Sequence, residues 1–331
     1  MRDKERGVWR QENILQQFIE QISYFSLVCC YLCIKVQTKI MLSILIPTKD
    51  YDCHELIEEL HRQGEAMDKP FEILVGEDGT QPAALQLNIA ADILTNCRRI
   101  IREKNIGRAN IRNTLAIEAK YPNILFLDSD AVVEKEDFLQ CYTKVLENSD
   151  VVCGGLYHTK ELPDNSCTLR FRYEKEADKK RGAATRSLTP YKDFSTFNFA
   201  IKRDLFLSIF FNEKIEHYGY EDTLFGKELE RRGITITHID NPLLHNGLES
   251  NAVYLAKVEQ SLITLSTLGK EIGTTPLLQA VDKLKRHHLT GLFMLAWRTA
   301  RRLMRRNLTG ESPSLTIFKL YKLGYFLSIK R

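Results

Sequence analysis

Asp128 and Asp130 bracket Ser129 directly after the apolar run Asn123-Ile-Leu-Phe-Leu127. Two carboxylates so placed can both reach one divalent cation, and Mg2+ or Mn2+ favours oxygen ligands and commonly also binds substrate phosphates. Acid-x-acid triplets also arise as plain polar turns, as Glu134-Lys-Glu136 shows; the strand in front of Asp128 is what favours the cation. Glu77-Asp78-Gly79-Thr80 ends another apolar run, where a carboxylate can accept from a ribose or base and glycine permits close backbone approach, or where Asp-Gly simply turns the chain. Asn105-Ile-Gly107 opens a helix carrying Arg112, whose planar fork could grip a pyrophosphate, although no G-x-G-x-x-G run is present. Gly219-Tyr-Glu221-Asp222 starts a further helix. Acids there suit the helix dipole, and one of them could equally take a proton from an attacking hydroxyl. His245, near an apolar run, is either a hydrogen-bonded core residue or a ligand to the same cation.

These clusters need elements to bring them together. Leu42–Pro47, Phe71–Val75, Arg98–Arg102, Asn123–Leu127 and Asp150–Gly154 read as short strands, separated by helical stretches at 54–63, 107–120 and 135–147. Strands apolar on both faces alternating with helices imply a mainly parallel α/β sheet, and ligands then sit beyond the strands' carboxyl ends, where the polar clusters fall. Further on, Ser195–Ile201 and Ile234–Ile239 read as strands and 220–232 as a helix. Lys175–Arg186 reads as a mobile basic loop, and the pattern is helical from about 250.

With 331 residues, 44% hydrophobic and 27% charged, the chain is an ordinary globular one. Its net charge of +4 is unevenly spread: residues 281–331 hold 12 lysines and arginines against two acids. Within this tail, residues 289–306 read as a basic amphipathic helix, with Arg298, Arg301, Arg302 and Arg305 on one side and Leu292, Phe293, Ala296, Trp297, Ala300 and Met304 largely on the other. A second apolar helix with interspersed lysines follows at 315–327. The pair suggests peripheral contact with a membrane through 289–327. Nothing resembles a nucleic-acid module. The eight cysteines are scattered, which fits reduced thiols in a cytoplasmic protein. Residues 1–40 read as an extension, either a non-native start before Met41 or a loose helix, and their apolar stretch Ile22–Ile34 is short for a spanning helix.

Five motifs in order, Leu45-Ile-Pro-Thr-Lys-Asp50, Gly76-Glu-Asp-Gly-Thr80, Asn105-Ile-Gly to Arg112-Asn113, Asp128-Ser-Asp130 and Gly219-Tyr-Glu-Asp222, resemble a family 2 glycosyltransferase of the GT-A fold. Phe197 to Phe206 resembles the stretch that precedes the Glu-Asp pair in that family. The resemblance implies a Rossmann-like catalytic domain at 41–248 and a C-terminal helical, basic region at 249–331. By resemblance, Pro47, Thr48, Asp50, Glu77, Asp78, Gly79, Asn105, Gly107, Arg112 and Asp128 would bind a nucleoside-diphosphate sugar, UDP-linked by expectation. Asp130 and Asp128, with His245 beside them, would hold Mn2+ or Mg2+. Asp222 would deprotonate the acceptor hydroxyl and Glu221 would orient it, so that one displacement inverts the anomeric carbon. The expected setting is cell-surface polysaccharide or glycolipid synthesis, on a glycan or lipid-linked acceptor, at the cytoplasmic face of a membrane. Two departures bear on donor choice: the family usually shows Asp-Asp-Gly-Ser where Glu77–Thr80 stands, and Pro-x-Tyr-Asn where Lys49 and Asp50 stand.

Two other readings remain at this point. A nucleotidyltransferase of related fold would attack a phosphate and leave Asp222 without a role. A catalytically silent nucleotide-sugar-binding or scaffold protein would use its acids only as helix caps.

Overall fold

The computed structural model describes residues 40–178, 182–215 and 218–329; the expected extension 1–40, but for its last residue, lies outside them. Strand β1 (Leu42–Thr48) is apolar and buried almost throughout, as are β2 (Phe71–Asp78) and β4 (Asn123–Leu127). Such runs suit the middle of a sheet covered on both faces. They pair in parallel, β1 lying between β2 and β4, and β3 (Cys97–Arg102), half exposed and bearing arginines, closes one edge beside β2. Across β4, the sheet continues through β8 (Asn198–Lys202), β6 (Val151–Cys153) and β9 (Ile236–His238), giving the order β3-β2-β1-β4-β8-β6-β9. Only β8 runs against its neighbours. The fold is therefore α/β with a mixed, mainly parallel sheet, as expected.

The chain proceeds from β1 outward to β3 and then returns to β4 on the other side of β1. That reversal opens a crevice at the carboxyl ends of β1 and β4, the place where α/β sheets bind ligands. Behind it, Phe126, Phe199, Phe206, Phe211 and Phe225 pack ring against ring, Phe211 and Phe225 at 4.7 Å.

A second sheet was not foreseen. Its strands are β5 (Ala131–Val132), β7 (Leu156–His158) and β10 (Leu243–His245), with β10 in the middle. Register sets His245 opposite Ala131 and beside His158. The expected loop at 175–186 is corrected at its two ends, while residues 179–181 lie outside the described residues. The helix Thr168–Asp178 takes its first residues, a short helix Ala183–Arg186 its last, and Arg186 is buried, donating to the carbonyls of Cys153, Gly154 and Ile239. Buried backbone carbonyls needing donors hold the Ala183–Arg186 helix in place through Arg186.

Helices Asn251–Leu268, Pro276–Arg286, Thr290–Thr309 and Leu315–Ile329 follow, forming one compact unit with everything from Met41 on. Among the described residues, no helix is long and apolar enough to cross a membrane.

Candidate active site

A cavity of about 730 Å³ occupies the crevice. Pro47, Thr48 and Asp78 line it from β1 and β2, Asn105, Gly107 and Arg112 from the loop and helix after β3, and Asp128 and Asp130 from the end of β4. Glu221 lines it from the helix Glu221–Arg231. Residues far apart in sequence thus converge as expected.

Their partners refine the expected roles. Asp78 accepts from the backbone N–H groups of Ile106 at 2.7 Å and Gly107 at 3.1 Å, fastening the 105–107 loop. Gly107 stands at φ 93°, a backbone state that favours glycine. Arg112 is buried, donating to Asp128 and to the carbonyl of Arg108. Arg108 completes the set: its Nη2 lies 3.2 Å from the other Asp128 oxygen, its Nε 3.0 Å from Glu221, and its guanidinium rests over the Tyr218 ring. Both oxygens of Asp128 are thereby taken by arginines, which argues against its expected share in holding a cation.

Five expected residues do not line the cavity. Asp50 accepts from the backbone N–H of Gln81 and ties the loop after β1 to the loop after β2. Glu77 is fully buried and accepts from Thr80 at 2.7 Å and Asn88 at 2.9 Å, so its place is inside the fold. At Gly79 a β-carbon would lie 2.4 Å from the Asn105 nitrogen; the residue permits loop contact rather than ligand contact. Asp222 stands one residue past the wall, accepting from the backbone N–H of Thr223 at 2.7 Å, while Glu221 takes the cavity-facing place. Burial first, and the neighbouring Glu221 charge second, push the Asp222 carboxyl up to about 6.

His245 sits just behind the wall. Its Nε2 is 3.1 Å from Asp130 Oδ2 and 3.1 Å from Arg170 Nη2, while its buried Nδ1 has no hydrogen-bond partner among the described residues. A single ring nitrogen either donates to the carboxylate or accepts from the guanidinium. Burial alone would raise the Asp130 carboxyl, but the His245 contact and the charges of His245, Arg170 and Arg108 hold it below its ordinary range. Gly247 makes room here, since a β-carbon would lie 2.1 Å from Asp130 Oδ2. A carboxylate and an imidazole are a sound donor pair for a divalent cation. Their 3.1 Å separation matches two neighbouring ligands on an octahedral ion with bonds of about 2.1 Å. His158, Glu174 and His245 also group their donor atoms within 4.8 Å. Arg170 lies against both groupings, donating to Glu174 at 3.0 Å and standing 3.1 Å from His245 Nε2, so its guanidinium competes with a cation at either.

Sequence reading missed Arg108, Tyr218, Lys257 and Gln260, which also line the cavity. Arg108 lies one helical turn before Arg112, a spacing that puts both on one face and was the available signal. Lys257 and Gln260 come from the helix Asn251–Leu268, beyond the motifs, with no such signal.

The model of glycosyl transferase family 2 matches residues 43–210. The chain belongs to this family. That membership favours the transferase reading over the two others left open by the sequence. Its sequence is 23% identical over 242 residues to a chondroitin synthase of Pasteurella multocida (strain Pm70), a match over 64% of this chain and 25% of that protein. The chain thus spans about a quarter of the length of the curated relative it matches. Among solved structures it is similar to the mannosyltransferase PcManGT from Pyrobaculum calidifontis in complex with GDP-Man and Mn2+, at 15% identity and a TM-score of 0.49, covering 87% of this chain and 85% of that one. It is also similar to S. aureus TarS 1-349 in complex with UDP-GlcNAc, at 18% identity and a TM-score of 0.46, covering 69% and 67%.

Proposed function

We propose that this glycosyltransferase moves a sugar from a nucleoside-diphosphate sugar, UDP-linked by preference, to a hydroxyl of a glycan or lipid-linked acceptor, with inversion, in the building of a surface polysaccharide or glycolipid. The observation that carries the reading is the cavity at the β1/β4 crevice, lined by Asp130, Arg108, Arg112 and Glu221, with His245 against Asp130 just behind its wall and Asp222 one residue past Glu221. The match to a chondroitin synthase supports a glycan acceptor.

Asp130 and His245 would hold a divalent cation, which when bound supplies positive charge against the diphosphate. Arg108 and Arg112 bring two more positive charges to the same wall, where the leaving group's charge grows. Asp222 is the base. No basic side chain pairs with it among the described residues, and a carboxyl raised to about 6 is suited to take a proton near neutral pH. Glu221, held by Arg108 at 3.0 Å, positions the acceptor hydroxyl. Catalytic hydrogen bonds commonly tighten only with substrate bound, which accounts for Asp222 standing just off the wall.

The test is a panel of nucleotide sugars with Mn2+ or Mg2+, followed by nucleoside diphosphate release and mass spectrometry of the product. A UDP-sugar should turn over only with a cation, and Asp130→Ala and Asp222→Asn should each abolish transfer. A folded chain that neither binds nor cleaves any nucleotide sugar overturns the reading; full activity in Asp222→Asn overturns the base.

A further inference from the structure

The helix Thr290–Thr309 turns Met294, Trp297 and Leu308 into the C-terminal core, but leaves Leu292 68%, Leu295 63% and Leu303 71% exposed. At 3.6 residues per turn these three leucines fall in a sector about 80° wide. Arg298, Arg302 and Arg306 form an exposed row four residues apart along its edge. The arrangement differs from the sequence expectation, which set arginines and apolar side chains on opposite sides. Arg301 rests over Trp297 at 5.2 Å and Arg305 pairs with Glu259 at 2.6 Å, so those two are committed to the protein. The exposed row has no acidic partner within salt-bridge distance among the described residues. Lys283, Lys285 and Arg286, ending the preceding helix, are exposed as well, and Asp282 is the only acid from 281 to 310.

We propose that this face docks on an anionic bilayer surface, with the arginine row at the lipid phosphates and the three leucines in the acyl boundary. Charge and shape choose the occupant. Unpaired arginines beside protruding leucines suit a surface that is anionic above and apolar beneath, as the cytoplasmic leaflet is. A second copy of this chain would bring the same positive row to a self-complementary contact, like charge facing like. The proposal stands on this helix alone, independently of the sugar chemistry.

The test uses the full chain with vesicles of phosphatidylcholine and phosphatidylglycerol at about two to one. Wild type should co-sediment with them, less so as salt is added, and should stay in solution with phosphatidylcholine alone. Leu292→Ser/Leu295→Ser/Leu303→Ser and Arg298→Gln/Arg302→Gln/Arg306→Gln should each lower the partition at least about tenfold, with circular-dichroism melting unchanged. Failure of wild type to sediment, equal binding to the neutral vesicles, or unchanged binding by both triple variants overturns the proposal. So does a wild-type dimer, seen by light scattering, that the leucine variant dissolves.

Discussion

Asp222 and Glu221 are neighbours with opposite circumstances. Glu221 has Arg108 at 3.0 Å, whereas burial and the Glu221 charge raise Asp222 to about 6. An acid raised above its ordinary 3.8 keeps its proton, as pH rises, longer in the folded chain than in the unfolded one. Its ionisation therefore costs stability above about pH 6, and that cost fades as pH falls through 6. A base must be ionised, so transfer should climb as pH rises through about 6 and level off above it. Glu221→Gln removes the like charge and should move this acid limb to lower pH; a kcat profile with saturating acceptor reads it, and an unmoved limb assigns the titration elsewhere. Arg108 gives a second prediction at this scale. It bridges Asp128 and Glu221 with two nitrogens of one fork. Arg108→Gln should lower kcat/KM by about ten- to a hundredfold, the worth of a charge-assisted hydrogen bond. Arg108→Lys should recover little, because a point charge cannot span both carboxylates. Full recovery by lysine would show that only charge matters.

At the scale of elements, the three-stranded sheet decides the geometry. Ala131 follows Asp130 directly and pairs with His245, so a two-residue strand carries the carboxylate to the imidazole. Gly247→Ala tests this placement. The added β-carbon would meet Asp130 Oδ2 at 2.1 Å, so the carboxylate must move. Cation affinity, followed by Mn2+ titration monitored by electron paramagnetic resonance, should weaken by tenfold or more, while melting changes little; unaltered affinity would separate Asp130 from the cation. The same sheet marks where sequence reading stopped. β1, β2 and β4 were legible because runs buried on both faces stay apolar throughout. β5, β7 and β10 are two or three residues long, too short for any period to show, and their pairing joins distant chain segments, Leu244 with Val132 and Leu243 with Leu156. Asp78 and Gly107 were legible as site residues because strand ends and positive-φ glycines have chemical signatures. Glu77 looked equivalent to Asp78 one position away, yet alternation along the strand turns it into the fold, where Asn88 and Thr80 satisfy it.

Across the whole molecule, the C-terminal helices support the catalytic end. Leu262 and Leu265 of the helix Asn251–Leu268, Trp297 of the helix Thr290–Thr309 and Phe326 of the last share a core cluster, and Tyr220 and Leu224, flanking the Glu221–Asp222 pair, pack against it. The same helix that contributes Leu262 also places Lys257 and Gln260 in the cavity. Disturbing this core far from the carboxylates should therefore reach them. Gly324 is the point to press, since its missing β-carbon would lie 2.0 Å from the Trp297 ring. Gly324→Ala forces Trp297 or the Leu315–Ile329 helix to shift, an overpacking cost of about 1–3 kcal/mol. Urea unfolding should show a lowered midpoint, and kcat should fall with it because the helix that begins at Glu221 loses its backing. Retained kcat alongside lowered stability would mean that the cluster holds the C-terminal helices together without setting the base, and that the catalytic pair is positioned by the sheet and Arg108 alone.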